Sequence, residues 1–141
     1  MNRPIELSRK CPPAEGAFSV GVIIVSSDSE DLADGNSRET DAHVHAEESA
    51  LAKLPGNDPR LASATLCSTL EPCPERKSRP RTCTQLILRS PIRRVVIAWR
   101  EPSLLVAHCV GVETLRAEGI EVVELSSLGD QARVENAHLL R

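Results

Sequence analysis

The sequence predicts an α/β domain, a three-layer α-β-α sandwich around a five-stranded mixed sheet. β-rich apolar runs alternate with helix-forming stretches along 141 residues, an order that favours helices on both faces of a sheet. A helical stretch separates the fourth and fifth strands; a parallel return needs such a crossover, so strands 4 and 5 are expected to lie parallel. The length suits a single domain over residues 1–141, large enough to bury roughly 68–70% of the surface its unfolded chain exposes. With one Trp, one Phe and no Tyr, the core must be aliphatic.

A short helix is expected over residues 5–11, stopped by Pro12-Pro13, which cannot donate and restrict what precedes them. Residues 18–25 are β-rich and bounded by turn residues, the pattern of a buried strand. A weaker second strand is expected over 31–38, around the turn signal Asp34-Gly35-Asn36. Helix formers follow over 43–54 and end before Pro55-Gly56. Residues 63–70 read as the third strand, followed by a Pro-rich basic loop over 71–82. A helix over 83–89 takes Thr82 as its N-cap, and 93–99 is the fourth strand. Residues 104–118 suit a helix of four turns with Gly119 at its left-handed end. A fifth strand over 120–125 and a terminal helix over 128–140 complete the order.

Charge and composition exclude several classes of function. The 17 basic and 20 acidic residues give a net charge of −3, which argues against a generally basic nucleic-acid or membrane-surface protein. The scarcity of aromatic platforms argues against reading single strands. Charge is uneven, acidic over residues 28–48 and basic over 76–94. Residues 1–13 hold no apolar targeting core and the longest apolar run, 20–25, is far short of a span, so a cytoplasmic location is expected. Five Cys, an odd number, read as reduced thiols or ligands rather than a disulfide framework.

Three pieces carry chemistry: His45-Ala46-Glu47 at a helix start, Pro72-Cys73 at a strand end, and Cys83 at the start of the next helix. One imidazole and two thiolates are a natural zinc set, and a helix N-terminus favours the Cys83 thiolate. Three protein ligands leave a fourth position for water, the arrangement of a catalytic site. Glu47 stands about 200° round the helix from His45, so near a terminus it can reach that water without binding the metal. A carboxylate there can take a proton and return it to a leaving group, which suits hydrolysis at an amidine-like carbon. A fourth protein ligand, for example His43 or Cys67, would instead mark a closed structural zinc in a non-catalytic interaction protein.

H-x-E with P-C-x-x-C is the signature of zinc nucleobase deaminases; here the first half matches, while nine residues separate Cys73 from Cys83. With Thr69-Leu-Glu-Pro-Cys73, the Pro- and Arg-bearing loop, Arg94-Val-Val-Ile-Ala and Leu115-Arg-Ala-Glu-Gly-Ile-Glu-Val122, the chain resembles the pyrimidine deaminase domain of riboflavin biosynthesis over roughly residues 18–125. The resemblance implies a cytidine-deaminase-like fold, a catalytic zinc on His45, Cys73 and Cys83, and Glu47 as proton shuttle. It implies a small-molecule substrate, a diaminopyrimidinone carrying a phosphoribosylamino group. Lys77, Arg79 and Arg81 then become candidate phosphate contacts.

Other deaminase branches share parts of the pattern. Gly35-Asn36 resembles tRNA adenosine and guanine deaminases and makes Asn36 a candidate base contact, whereas Phe18-Ser-Val-Gly21 is similar to free cytidine and blasticidin-type enzymes. Glu71, beside a ligand, is a candidate substrate contact or a structural cap. Trp99 is a candidate pocket wall, or packs in the core or between subunits. Enzymes of this kind assemble as homodimers or homotetramers, and the same is expected here.

Overall fold

The computed structural model describes residues 1–12, 14, 17–73, 81–100 and 110–139. Helix α1 covers Asn2–Ser8, strand β1 Gly21–Val25 and β2 Asp31–Asn36. Helix α2 covers Ala46–Ala52, β3 Thr65–Ser68 and α3 Cys83–Arg89. Strand β4 covers Arg94–Ile97, α4 Gly111–Ala117, β5 Glu121–Glu124 and α5 Gly129–Arg133. The sheet order is β2-β1-β3-β4-β5. Strand β1 runs antiparallel to both β2 and β3, while β3–β4 and β4–β5 are parallel, so the sheet is mixed and strands 4 and 5 are parallel as expected.

Two helix layers follow from which face each strand residue presents. Gly35 is in register with Val22, and a β-carbon on Gly35 would meet the backbone of α2 at Ala46 and Ala50. Gly21 is in register with Asn36, and a β-carbon on Gly21 would strike α1 at Pro4 and Ser8. Since strand side chains alternate between faces, α2 and α1 lie on opposite sides. Helix α3 packs on α2 and α4 on α3, whereas α5 packs on α1. The buried aliphatic core joins Val22, Ile24, Leu66, Val95, Ile97 and Val122 of the sheet with Ala50, Ile87 and Leu115 of the helices.

The element boundaries depart from the sequence expectation where side chains take over backbone hydrogen bonds. Strand β1 begins at Gly21 rather than residue 18, because the Ser19 amide and carbonyl pair with the Asn136 side chain at 2.6 and 3.1 Å. Helix α1 stops at Ser8, whose hydroxyl turns back to the Ile5 carbonyl at 2.6 Å. It starts at Asn2, and Pro4 fits its first turn, where no amide partner is needed. The expected terminal helix is instead a 3₁₀ turn at Ser126–Leu128, then α5, then 3₁₀ turns over Val134–Leu139. A further 3₁₀ turn at Pro59–Ser63, capped by Asp58, was not expected. Of the helix predicted over 104–118, residues 104–109 lie outside the described residues.

Candidate active site

The end of the sheet where β1 begins and β2, β3 and β4 finish gathers the chemistry-bearing residues. His45 is the N-cap of α2, in an extended conformation at φ −89° and ψ 160°. Its amide donates to Glu48 Oε1 at 3.3 Å, so the imidazole is set by the first turn it precedes. The turn before it does not continue α2 back to residue 43, as the sequence suggested. There the His43 amide donates to Asp41 Oδ1 at 2.8 Å and the Arg38 amide to the Val44 carbonyl at 2.8 Å.

Cys83 opens α3, and its position is fixed by a reciprocal cap. The Gln85 amide donates to Thr82 Oγ1 at 3.1 Å, while the Thr82 amide donates to Gln85 Oε1 at 2.9 Å, the pairing expected of a capping box. Cys73 leaves the end of β3 through Glu71 and Pro72. Its carbonyl accepts from the Thr84 hydroxyl at 2.8 Å and the Thr84 amide at 3.1 Å, so the first turn of α3 holds both cysteines.

His45 Nδ1, Cys73 Sγ and Cys83 Sγ all lie within 4.8 Å of one another. Nδ1 is 3.2 Å from Cys83 Sγ and 3.5 Å from Cys73 Sγ. A nitrogen and a sulfur on one tetrahedral zinc stand about 3.5 Å apart, given bonds of about 2.0 and 2.3 Å, so this donor set fits the ion. Among the described residues no other His, Cys, Asp or Glu joins the group. The Cys73 thiol is held down to about 4 by the Cys83 thiol that donates to it, with His45 helping. The same interaction, with burial, pushes Cys83 up. The Cys83 amide also donates to Cys73 Sγ at 3.4 Å, the contribution of a helix N-terminus to a thiolate.

Glu47 is 4% exposed, and burial pushes its carboxyl up, with the Cys73 thiolate adding to the effect. The Ser68 hydroxyl donates to the Leu70 carbonyl at 2.7 Å, and its oxygen lies 3.3 Å from Glu47 Oε1. Burial and a neighbouring thiolate both disfavour the ionised form, so this carboxyl holds a proton more readily than a free one. Ser68 was not singled out in the sequence. Its signal is a polar residue in phase with the inward Leu66.

The remaining candidates fall in different places. Glu71 is buried, and its Oε2 accepts from the Val112 amide at 2.7 Å in the first turn of α4, the cap geometry of the two roles considered. Trp99 is buried in the core cluster, with the Phe18 ring edge-on at 5.6 Å and the Arg133 guanidinium 5.3 Å over its face. Its carbonyl accepts from the Glu71 amide at 2.8 Å. Asn36 is buried at the end of β2, in register with Gly21, and its side-chain amide donates to the Ser37 carbonyl at 3.3 Å. Arg81 is exposed just before Thr82, while Lys77 and Arg79 lie outside the described residues. His43 and Cys67 stay outside the three-residue group.

The arrangement has counterparts. The diaminohydroxyphosphoribosylamino-pyrimidine deaminase of Schizosaccharomyces pombe is 36% identical over 132 residues, 92% of this chain and 32% of that protein. The diaminohydroxyphosphoribosylaminopyrimidine deaminase/5-amino-6-(5-phosphoribosylamino)uracil reductase of Thermotoga maritima superposes with a TM-score of 0.74 at 36% identity, covering 96% of this chain and 37% of that one. Acinetobacter baumannii RibD superposes with a TM-score of 0.82 at 30% identity, covering 99% and 37%. This chain thus spans about a third of the length of these relatives, and it shares the cytidine-deaminase-like fold of their matched domains. Residues 1–99 match the cytidine and deoxycytidylate deaminase zinc-binding region, and the chain belongs to that family.

Proposed function

We propose that this chain is a zinc-dependent deaminase of an amino-substituted pyrimidine nucleotide, acting in the cytoplasm on the diaminopyrimidinone ribosyl phosphate of riboflavin biosynthesis. The observation that carries this reading is the buried Glu47 carboxyl beside a three-member donor set of one imidazole and two thiols. The names of the relatives favour the riboflavin-pathway substrate over cytidine, guanine, blasticidin-like nucleosides or tRNA adenosine.

His45, Cys73 and Cys83 would hold the ion. When bound, zinc would supply Lewis acidity, bringing the pKa of a water to about 7. Glu47 accepts a proton from the attacking water, passes it to the ring nitrogen, and carries the next one to the departing amine, which leaves as ammonia. Ser68 holds the Glu47 carboxyl in reach of both proton positions. Glu71 fixes the start of α4 and, through its amide, the end of β4, so its role is to place Cys73. Lys77, Arg79 and Arg81 contact the substrate phosphate, and the chain works as a homodimer or homotetramer.

The test is ammonia release from the purified, zinc-loaded protein with the diaminopyrimidinone ribosyl phosphate, run beside cytidine and guanine. Turnover confined to the first compound is expected. Turnover of cytidine or guanine alone would overturn the substrate, and no turnover of any of them would overturn the enzyme.

A further inference from the structure

Arg38 is a non-glycine residue at φ 59°, in the left-handed region that an L residue occupies only when its surroundings hold it there. Its surroundings are unusual. The backbone amide donates to the carbonyl of Val44 at 2.8 Å, the residue before His45. The guanidinium reaches the other way, through Nε and Nη2 to the Pro12 carbonyl at 3.0 and 2.7 Å. It also reaches the Phe18 carbonyl through Nη1 at 3.1 Å and Ser19 Oγ through Nη2 at 2.8 Å.

The far end of this span is anchored to the other half of the donor set. Phe18 packs edge-on against Trp99, and Trp99 accepts the amide of Glu71, two residues before Cys73. Gly21 and Thr69 are cross-bonded, Thr69 amide to Gly21 carbonyl at 3.1 Å and Gly21 amide to Thr69 Oγ1 at 3.2 Å. Ser19 is pinned from behind by the fully buried Asn136. One residue therefore spans from the turn that carries the imidazole to the framework that carries the first thiolate.

We propose that Arg38 is a positioning residue for the metal centre, fixing the distance between His45 and Cys73 before the ion binds. This rests on the reading of His45, Cys73 and Cys83 as zinc ligands. A planar fork with several fixed donors suits the task, because it holds three acceptors in one rigid geometry, whereas an ammonium is a point charge on a flexible stem with rotating donors. A donor set assembled in advance binds metal more tightly than one the ion must gather.

The experiment measures zinc affinity on the whole chain, by competition for zinc alone against a chromogenic chelator, for the wild type and Arg38→Ala. A loss of about 10–100-fold in zinc affinity is expected, the range for residues that orient metal ligands, with the melting temperature of the metal-free protein little changed. Equal affinity in the two proteins would overturn the proposal, as would a loss of affinity matched by an equal loss of metal-free stability. If Arg38→Ala does not fold, Arg38→Lys is read in its place: a weakened zinc site in a folded protein supports the proposal and an unchanged one ends it. A wild type that binds no zinc would instead refute the ligand reading itself.

Discussion

Gly111 lies against the Pro72 carbonyl so closely that a β-carbon there would stand 2.1 Å from the oxygen and 3.2 Å from Glu71 Cγ. The first turn of α4 thus rests directly on the chain leading into Cys73. Backbone cannot move aside as a flexible side chain can. Gly111→Ala should displace Pro72 and Cys73, costing about 1–3 kcal/mol, the usual range for overpacking, and weakening zinc retention. Thermal melting and zinc content of the purified variant check both.

Glu47→Gln keeps the shape and a partner for Ser68 but cannot accept a proton. Zinc content should match the wild type while kcat falls by about 10²–10⁴, the share ordinarily carried by a general acid–base group. Metal analysis and ammonia release read the two quantities separately, and retained turnover would remove Glu47 from the proton path.

Cys73→Ala and Cys83→Ala each remove one of three donors. Loss of stoichiometric zinc is expected in both, together with a lower melting temperature than the zinc-loaded wild type, since metal binding and folding are linked. A chelator added to the wild type should move its melting temperature in the same direction. The measurement is a melting curve with and without added zinc.

Asp58 caps the 3₁₀ turn that leads into β3, and hydrogen bonds from the Arg60 side chain and amide hold its carboxyl down to about 2. A group depressed in the folded state stabilises above its unfolded pKa and loses that contribution as pH falls through the folded value. Asp58→Asn should therefore melt below the wild type at neutral pH, with the gap closing between pH 3.8 and about 2. Melting curves over that range decide it, and a gap that persists at the acid end would contradict it.

The strand and helix order was legible because each element is written in a local run: Val22, Ile23 and Ile24 for β1, Val95 and Val96 for β4, and the Thr82–Gln85 cap for α3. The donor set was legible because His45 and Cys83 stand at helix starts and Cys73 follows a strand end, with Glu47 two residues beyond His45. Arg38 and Asn136 were not, because their partners lie across the fold. Asn136 and Ser19 are 117 residues apart, and no periodicity encodes such a contact. The face that Asn36 takes was not legible for a related reason. One step of register decides which face a strand residue takes, and register is a property of the pair of strands rather than of either one.

Trp99 is the only indole in the chain, and it sits with one aromatic edge and one cation against it while its carbonyl holds the strand leading to Cys73. Its emission is therefore a single-site optical signal from the core beside the chain that leads to Cys73. Refolding, ion uptake and ligand occupancy can each be followed by intrinsic fluorescence, with no dye attached and no background from a second chromophore of its kind.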